Sequence, residues 1–156
     1  MSNYQILLNK IKENKETIGI IGLGYVGLPL AVTFARNNVN VIGFDKNEQK
    51  VDAVNKAHNY IADVKNDDLE NTVLKTKKLQ ATADFAHIGD CDALIICVPT
   101  PLDSFKKPDM TYIENACTDI AHYMKKGTFI SLESTTYPTT TENFMLPIIE
   151  KESKLK

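Results

Sequence analysis

The sequence has no long hydrophobic run, and this absence excludes proteins that span a bilayer. A span requires about 18 to 20 apolar residues in succession, and no run in the 156-residue chain approaches that length. The first residues, MSNYQILLNKIKENKE, predict an amphipathic polar helix over residues 1–16 rather than a secretion signal. We therefore expect a cytoplasmic protein without a membrane partner.

Cysteine and histidine are also scarce, and neither sign of charge is in large excess. Cys91, Cys97 and Cys117 are odd in number and lack metal-ligand spacing, which favours reduced thiols and no metal site. The three histidines lie far apart in the sequence. The formal net charge is −2, with lysines and acidic residues interspersed, which argues against a nucleic-acid partner recognised through its phosphates.

Three of the seven glycines follow directly on an apolar run. Residues 17–31 read TIGIIGLGYVGLPLA, and the spacing of Gly22, Gly24 and Gly27 predicts a strand that turns sharply into a helix. The first glycine permits the turn, the second leaves room for a pyrophosphate beside the backbone, and the third lets helix and strand pack closely. Unpaired amide N–H groups and the positive end of the helix dipole predict an anion site here.

A carboxylate completes this pattern. Asp45 ends the next apolar run, VNVIGFD, 21 residues after Gly24. There it is positioned to accept hydrogen bonds from an adenosine ribose and to repel a 2′-phosphate. Glycine spacing alone is just as typical of ordinary turns. Strand, helix and acid together predict a Rossmann unit that binds NAD rather than NADP.

Apolar runs of strand length recur along the chain, mostly with helical patterns between them. Runs such as ALIICV are apolar on both faces, as expected of strands that helices cover on each side. We predict one α/β domain over residues 17–156: a Rossmann-type, doubly wound, mainly parallel sheet with helices on both faces, preceded by the N-terminal helix. The predicted strands are 17–22, 40–45, 79–82, 93–98 and 128–132.

Two more strand ends carry groups suited to a ligand, which in an open α/β sheet lies beyond the carboxyl ends of the strands. The first is a rigid turn at Val98, Pro99 and Thr100; the second is a hydroxyl cluster at Ser134, Thr135 and Thr136. The turn suits packing against the ribose or nicotinamide, and the hydroxyls suit bonding to the nicotinamide or to a water. Alternatively, the turn only ends its strand and the hydroxyls cap the following helix.

Four segments together, GLGYVGLPLA, GFDKNEQKV, ICVPTPL and LESTTYPTTTE, resemble the NAD-binding N-terminal domain of the UDP-glucose/GDP-mannose dehydrogenase family. The resemblance runs from about Lys10 to the end and is strongest to the bacterial branch that oxidises UDP-N-acetylhexosamines at C6 for surface polysaccharide synthesis. It implies an oxidoreductase that converts the C6 alcohol to a carboxylate in two hydride transfers to NAD. An active-site cysteine holds the thiohemiacetal and then the thioester.

The resemblance also implies roles for individual residues. The pyrophosphate loop comprises Gly22, Gly24, Tyr25, Val26 and Gly27; Asp45 and Lys50 lie at the adenosine ribose; Val98, Pro99 and Thr100 line the coenzyme; and Ser134, Thr135 and Thr136 lie at the nicotinamide. Thr136 is the single catalytic candidate, because it matches the threonine that positions a water during thioester hydrolysis.

The chain departs from the family at two points. Relatives usually read YPGTTE where this chain has Thr139 in place of the glycine, which adds strain if that position takes a positive φ. The central and cysteine-bearing C-terminal domains of the family are expected to be absent, and none of the three cysteines matches the nucleophile. We therefore expect an NAD-binding module that is inactive alone and meets its UDP-sugar only in the full-length enzyme. An exposed apolar patch and a possible homodimer follow.

Two other functions fit parts of the pattern. A stand-alone module, in which bound NAD regulates a partner and no hydride moves, would use the same glycine loop. Half of a β-hydroxyacid-type dehydrogenase would share the loop and the acid, but it leaves VPTP and STTYP occurring together unexplained.

Overall fold

Strands and helices alternate along almost the whole chain, as the apolar pattern predicts. The computed structural model describes residues 2–102 and 104–155. The helices are α1 (Asn3–Lys12), α2 (Gly27–Arg36), α3 (Glu48–Asn55), α4 (Asn66–Glu70), α5 (Thr111–Tyr123) and α6 (Leu146–Ser153). The strands are β1 (Thr17–Ile21), β2 (Asn40–Phe44), β3 (Leu79–Thr82), β4 (Ala93–Ile96) and β5 (Phe129–Leu132). Asn71–Lys75 and Thr141–Met145 are π-helical turns, and Phe85–Asp90 is a 3₁₀ turn.

The five strands form one parallel sheet in the order β3-β2-β1-β4-β5. Ile20 of β1 pairs with Gly43 of β2 on one side and Ile95 of β4 on the other. Because the chain winds outward from β1 in both directions, the carboxyl ends of β1, β2 and β4 meet at one edge. The predicted doubly wound fold is confirmed, and the strands are up to two residues shorter than predicted.

Helices cover both faces of the sheet with separate apolar cores, which explains why the strands are apolar on both sides. The core beneath α2, α3 and α4 includes Ile18, Ile20, Leu23, Leu28, Ala31, Val41, Val54, Leu69 and Leu79. The core beneath α5 and α6 includes Ile21, Phe44, Ile88, Leu94, Ile96, Ile113, Ile120, Met145 and Ile149. No helix among the described residues is long and apolar enough to span a membrane.

The predicted N-terminal helix is present and is held mainly by polar contacts, since no residue of α1 is buried. Lys10 Nζ of α1 lies 2.8 Å from Asp92 Oδ1, and Lys125 Nζ lies 3.1 Å from the same oxygen. The Thr17 amide donates to Asp92 Oδ2 at 3.1 Å. Burial opposes ionisation of Asp92, but these hydrogen bonds outweigh it and hold the pKa of the carboxyl below its usual value. Asp92 thus anchors α1 to the amino end of the sheet.

Candidate functional site

A cavity of about 540 Å³ opens at the carboxyl edge of the sheet. It joins the three segments that follow β1, β4 and β5, as predicted for a ligand site in this fold. The predicted coenzyme residues that line it are Gly22, Gly24, Tyr25, Val26, Asp45, Lys50, Val98, Pro99, Thr100, Ser134 and Thr135. The cavity therefore collects side chains that are far apart in the sequence.

The three glycines of the first loop have different surroundings. Gly22 has φ +96°, and a Cβ there would lie 2.9 Å from the carbonyl oxygen of Cys97. Gly24 has nothing within 4 Å of a Cβ position, so its open side is available to a ligand. Gly27 does not line the cavity: it is buried, and a Cβ there would overlap the carbonyl oxygen of Gly22. Its other predicted role, close packing of α2 on β1, is what the structure shows, and its contact with the pyrophosphate stays a prediction.

The glycine loop presents unpaired donors. Among the described residues, the amide N–H groups of Gly24, Tyr25 and Val26 donate to no carbonyl or side chain. Tyr25 and Val26 are 79% and 54% exposed, so water or a ligand reaches this turn. Because these amides lie at the amino end of α2, the helix dipole adds positive potential to them. The loop can bind an anionic group without a basic side chain.

Asp45 lies between this loop and the start of α3. Its Oδ2 accepts from the Leu23 amide at 2.9 Å and lies 3.3 Å from Lys50 Nζ, and its Oδ1 accepts from the Asn47 amide at 2.9 Å. Its side chain is 12% exposed, at the cavity. These bonds fix the carboxylate in place, and lone pairs remain to accept from hydroxyl groups.

Tyr60 and Ile61 also line the cavity, and neither was predicted. The Tyr60 hydroxyl donates to the Leu23 carbonyl at 2.8 Å, which ties the loop before α4 to the glycine loop. Burial, with the nearby Asp45 charge, raises the pKa of Tyr60 to about 12. The hydroxyl is therefore a permanent donor at neutral pH. The sequence around it has no clear period, so no signal there indicated the site.

The ends of β4 and β5 are joined at the cavity wall. The Ser134 hydroxyl donates to the Val98 carbonyl at 2.7 Å, and Thr135 is exposed beside it. Glu133, which was not predicted as a site residue, also lines the cavity and accepts from the Ser131 hydroxyl at 2.7 Å. Hydroxyls and a carboxylate thus line the cavity on this side.

Thr136 does not line the cavity. Its Oγ1 lies 2.9 Å from Thr140 Oγ1, and Thr140 donates in turn to the Tyr137 carbonyl at 2.7 Å. The alternative in which these hydroxyls cap the following helix is not found, because the helical segment that begins at Thr141 has no side-chain cap hydrogen bond. Thr139, between them, has φ +70°, the left-handed conformation that a β-branched residue disfavours.

A second cavity of about 300 Å³ adjoins the first and shares Gly22, Asp45, Lys50, Val98 and Pro99 with it. Its other walls are aromatic, apolar and charged side chains. These include Phe44, Phe85, Tyr112, Ala116, Lys46 and Asp119. The two cavities together form a continuous cleft on either side of Asp45.

None of the cysteines is poised as a nucleophile. Cys97 lines the first cavity, but it is 7% exposed, and burial together with the Glu133 charge raises its pKa to about 11. Burial raises the pKa of both Cys91 and Cys117 to about 12. These thiols stay protonated at neutral pH. No group of three His, Cys, Asp or Glu side chains in the described part of the chain is arranged as metal ligands.

Residues 16–156 match the model of the UDP-glucose/GDP-mannose dehydrogenase family, NAD binding domain. The chain is 35% identical over 139 residues to UDP-N-acetyl-D-glucosamine 6-dehydrogenase of Pseudomonas aeruginosa, covering 89% of this chain and 32% of the relative. It is 40% identical over 126 residues to UDP-N-acetyl-D-mannosamine dehydrogenase of Escherichia coli strain K12, covering 81% and 29%.

A solved structure of a dehydrogenase is also similar to this chain. NDP-N-acetyl-D-galactosaminuronic acid dehydrogenase from Methanosarcina mazei Go1 superposes with a TM-score of 0.84 at 33% identity. The alignment covers 100% of this chain and 35% of that one. The chain therefore spans about a third of the length of the proteins it matches.

Proposed function

Because this chain belongs to the UDP-glucose/GDP-mannose dehydrogenase family as its NAD-binding domain, we propose that it supplies the coenzyme site of a nucleotide-sugar 6-dehydrogenase. In the whole protein, the C6 alcohol of a UDP-sugar is oxidised to a carboxylate, and each of the two oxidation steps transfers a hydride to NAD. This chain's part is to bind and orient the coenzyme.

One observation carries the proposal: the Asp45 carboxylate and the amides of the glycine loop that have no hydrogen-bond partner lie at the same cavity. The amides of Gly24, Tyr25 and Val26 suit a pyrophosphate, and the fixed Asp45 carboxylate suits the two hydroxyls of an adenosine ribose. A carboxylate at this position also favours NAD over NADP.

The continuous cleft has room for the rest of a dinucleotide on either side of that point. We assign the adenine to the second cavity, where Phe85 and Tyr112 offer aromatic surface. The nicotinamide then extends through the first cavity toward Thr100, Ser134 and Thr135. Polar groups at that end suit an amide, and the apolar walls of the second cavity suit a base.

These 156 residues alone are proposed to bind NAD without oxidising a sugar. The thioester chemistry implied by the family needs a thiolate, and the cysteines present here are buried and protonated at neutral pH. The water-positioning role of Thr136 stays a prediction, since its hydroxyl bonds to Thr140 outside the cavity wall.

The proposed substrate class is the UDP-N-acetylhexosamines, because the relatives named above are dehydrogenases of such sugars. A role in surface polysaccharide synthesis, a cytoplasmic location and homodimer formation also stay predictions from the resemblance.

Calorimetric titration with NAD, NADP and UDP-sugars tests the function. We expect NAD to bind, and Asp45→Ala to weaken its binding by roughly 1–3 kcal/mol through loss of charge-assisted hydrogen bonds. Asp52→Ala is the matched control, because the Asp52 side chain on α3 is 70% exposed and, among the described residues, forms an ion pair only with Lys56, directly after that helix. Equal NAD affinity in Asp45→Ala and the unmodified chain would contradict the ribose assignment.

A further inference from the structure

We propose that Asp119 is a specificity-determining residue, which helps to keep NADP out of the site by holding Lys46 away from the adenosine ribose. The inference rests on the proposed function, because it takes the ribose of NAD to lie at Asp45. It concerns the discrimination between two coenzymes rather than the binding of NAD itself.

Two lysines flank the carboxylate that is assigned to the ribose. Lys46 directly follows Asp45, Lys50 lies on α3, and both line the second cavity. A basic side chain near the end of the second strand is what accommodates a 2′-phosphate in this fold. The chain therefore carries cations that an NADP site would use, beside a carboxylate that favours NAD.

Each lysine is held by a carboxylate. Lys50 Nζ lies 3.3 Å from Asp45 Oδ2, and Lys46 Nζ lies 2.7 Å from Asp119 Oδ2. The Lys46 ammonium also lies 5.6 Å from the centre of the Phe85 ring, within range of a cation–π attraction. Since the Lys46 side chain is 65% exposed, these two partners rather than burial determine where it lies.

Asp119 is well placed for this role. It lies on α5, its side chain is 26% exposed, and it forms part of the wall of the second cavity. Its Oδ2 atom is shielded from solvent and has no well-aligned hydrogen-bond partner among the described residues, so the Lys46 ammonium compensates its charge. The pair therefore draws Lys46 toward α5.

The consequence is a ribose site with a carboxylate and no available cation. A 2′-phosphate at Asp45 would meet the charge of Asp45, and Lys46, held by Asp119, would not offset that charge. Neutralising Asp119 removes one negative charge and releases the flexible Lys46 side chain toward the phosphate. Both changes favour NADP relative to NAD.

The test is calorimetric titration of NAD and NADP into the full chain, Asp119→Asn, and Asp119→Asn combined with Lys46→Gln. We expect Asp119→Asn to raise the ratio of NADP to NAD affinity about fivefold. The increase should shrink with rising salt and disappear when Lys46→Gln is added. The same variants in an Asp45→Asn background provide a stronger NADP signal, because the principal repulsion is then removed.

Asp52→Asn removes the same charge from an exposed pair that lines neither cavity, and it should leave the ratio unchanged. An unchanged ratio in Asp119→Asn, or an increase that survives Lys46→Gln, would overturn this inference while NAD binding still supports the proposed function. A chain that binds no NAD would overturn both.

Discussion

The two ends of the parallel sheet each hold one aspartate surrounded by donors, Asp45 at the carboxyl end and Asp92 at the amino end. Asp45 is bound by two backbone amides and one lysine, and Asp92 by one amide and two lysines. Their side chains are 12% and 9% exposed. Burial and the number of hydrogen bonds therefore do not distinguish them.

The groups around each carboxylate do distinguish them. Asp45 lines two joined cavities beside unpaired amides, so its remaining lone pairs face space that a ligand can enter. Asp92 is bonded by Lys10 of α1, by Lys125 before β5 and by the first residue of β1, so it joins three separate segments. The same chemical group lines open cavities at one end of the sheet and joins packed segments at the other.

The largest expected effect is on stability, at the carboxyl end of the sheet, where one glycine of the loop is needed for packing and another for the proposed binding of NAD. In Gly27→Ala the new methyl overlaps the Gly22 carbonyl, and we expect the free energy of unfolding in urea to fall by about 3 kcal/mol. Gly24→Ala is the matched control, since nothing lies within 4 Å of its Cβ position. It should change stability by less than about 0.5 kcal/mol and weaken NAD binding. Equal losses of stability would show that the whole loop is a packing element.

A second pair of variants tests the anchor directly. Asp92→Asn should lower the free energy of unfolding by about 2 kcal/mol, because it removes the charge that two lysines and an amide bind. Its NAD affinity should stay within about twofold of the unmodified chain, whereas Asp45→Asn should weaken NAD binding. If Asp92→Asn weakened NAD binding more than Asp45→Asn, the contrast between the two ends would be wrong.

The pH dependence of the free energy of unfolding further tests the role of Asp92 as an anchor. The pKa of Asp92 is lower in the folded chain than its unfolded value of about 3.9. Its contribution is therefore fully present above about pH 4 and is lost as the pH falls through the folded pKa. We expect the stability gap between the unmodified chain and Asp92→Asn to narrow as the pH falls from 6 to 3. A gap that widens on acidification would contradict this.

The smallest expected effect concerns Thr139, near the carboxyl end of β5. Thr139→Gly removes the strain of a β-branched residue at φ +70° but also the hydrogen bond from Asn143 at 3.0 Å. We expect a net gain of about 0.5 kcal/mol in thermal or urea unfolding. Thr141→Gly, at a helical position in the adjoining π-helical turn, should instead destabilise the chain. A loss in both variants would mean that Thr139 is not strained.

The three central strands, β1, β2 and β4, were predictable because they are largely buried on both faces and therefore mostly apolar, as ALIICV is. The edge strands β3 and β5 are more exposed and each contain polar residues. The carboxyl ends of β1, β2 and β4 were predicted one or two residues too late, while those of β3 and β5 were correct. Gly22 turns away from the sheet at φ +96°, and Cys97 and Val98 already belong to the cavity wall. Apolar character and single inter-strand hydrogen bonds continue past the last paired residue, as at Gly22 and Cys97, so composition alone does not mark the end of a strand.

The cavity-lining residues that directly follow a strand could be predicted from the sequence. Those in the loop before α4, which does not follow a strand, could not. Tyr60 contacts Leu23 across 37 residues of sequence, and nothing in its local pattern indicates that contact. Gly27 and Thr136 show a second limit of the sequence, while their predicted coenzyme and catalytic roles stay predictions. Their residue types fit the coenzyme, but Gly27 faces β1 and Thr136 faces Thr140, and orientation is a property of packing rather than of sequence spacing.

The tyrosines that line the first cavity allow coenzyme binding to be followed by the intrinsic fluorescence of the chain. The chain has six tyrosines and no tryptophan, and the exposed Tyr25 and half-buried Tyr60 both line that cavity. Ultraviolet emission of the chain therefore comes from tyrosine, with two of the six emitters beside the proposed coenzyme. Reduced nicotinamide absorbs near the wavelengths at which tyrosine emits. Binding of the reduced coenzyme should therefore quench tyrosine fluorescence and increase nicotinamide fluorescence, without any attached dye.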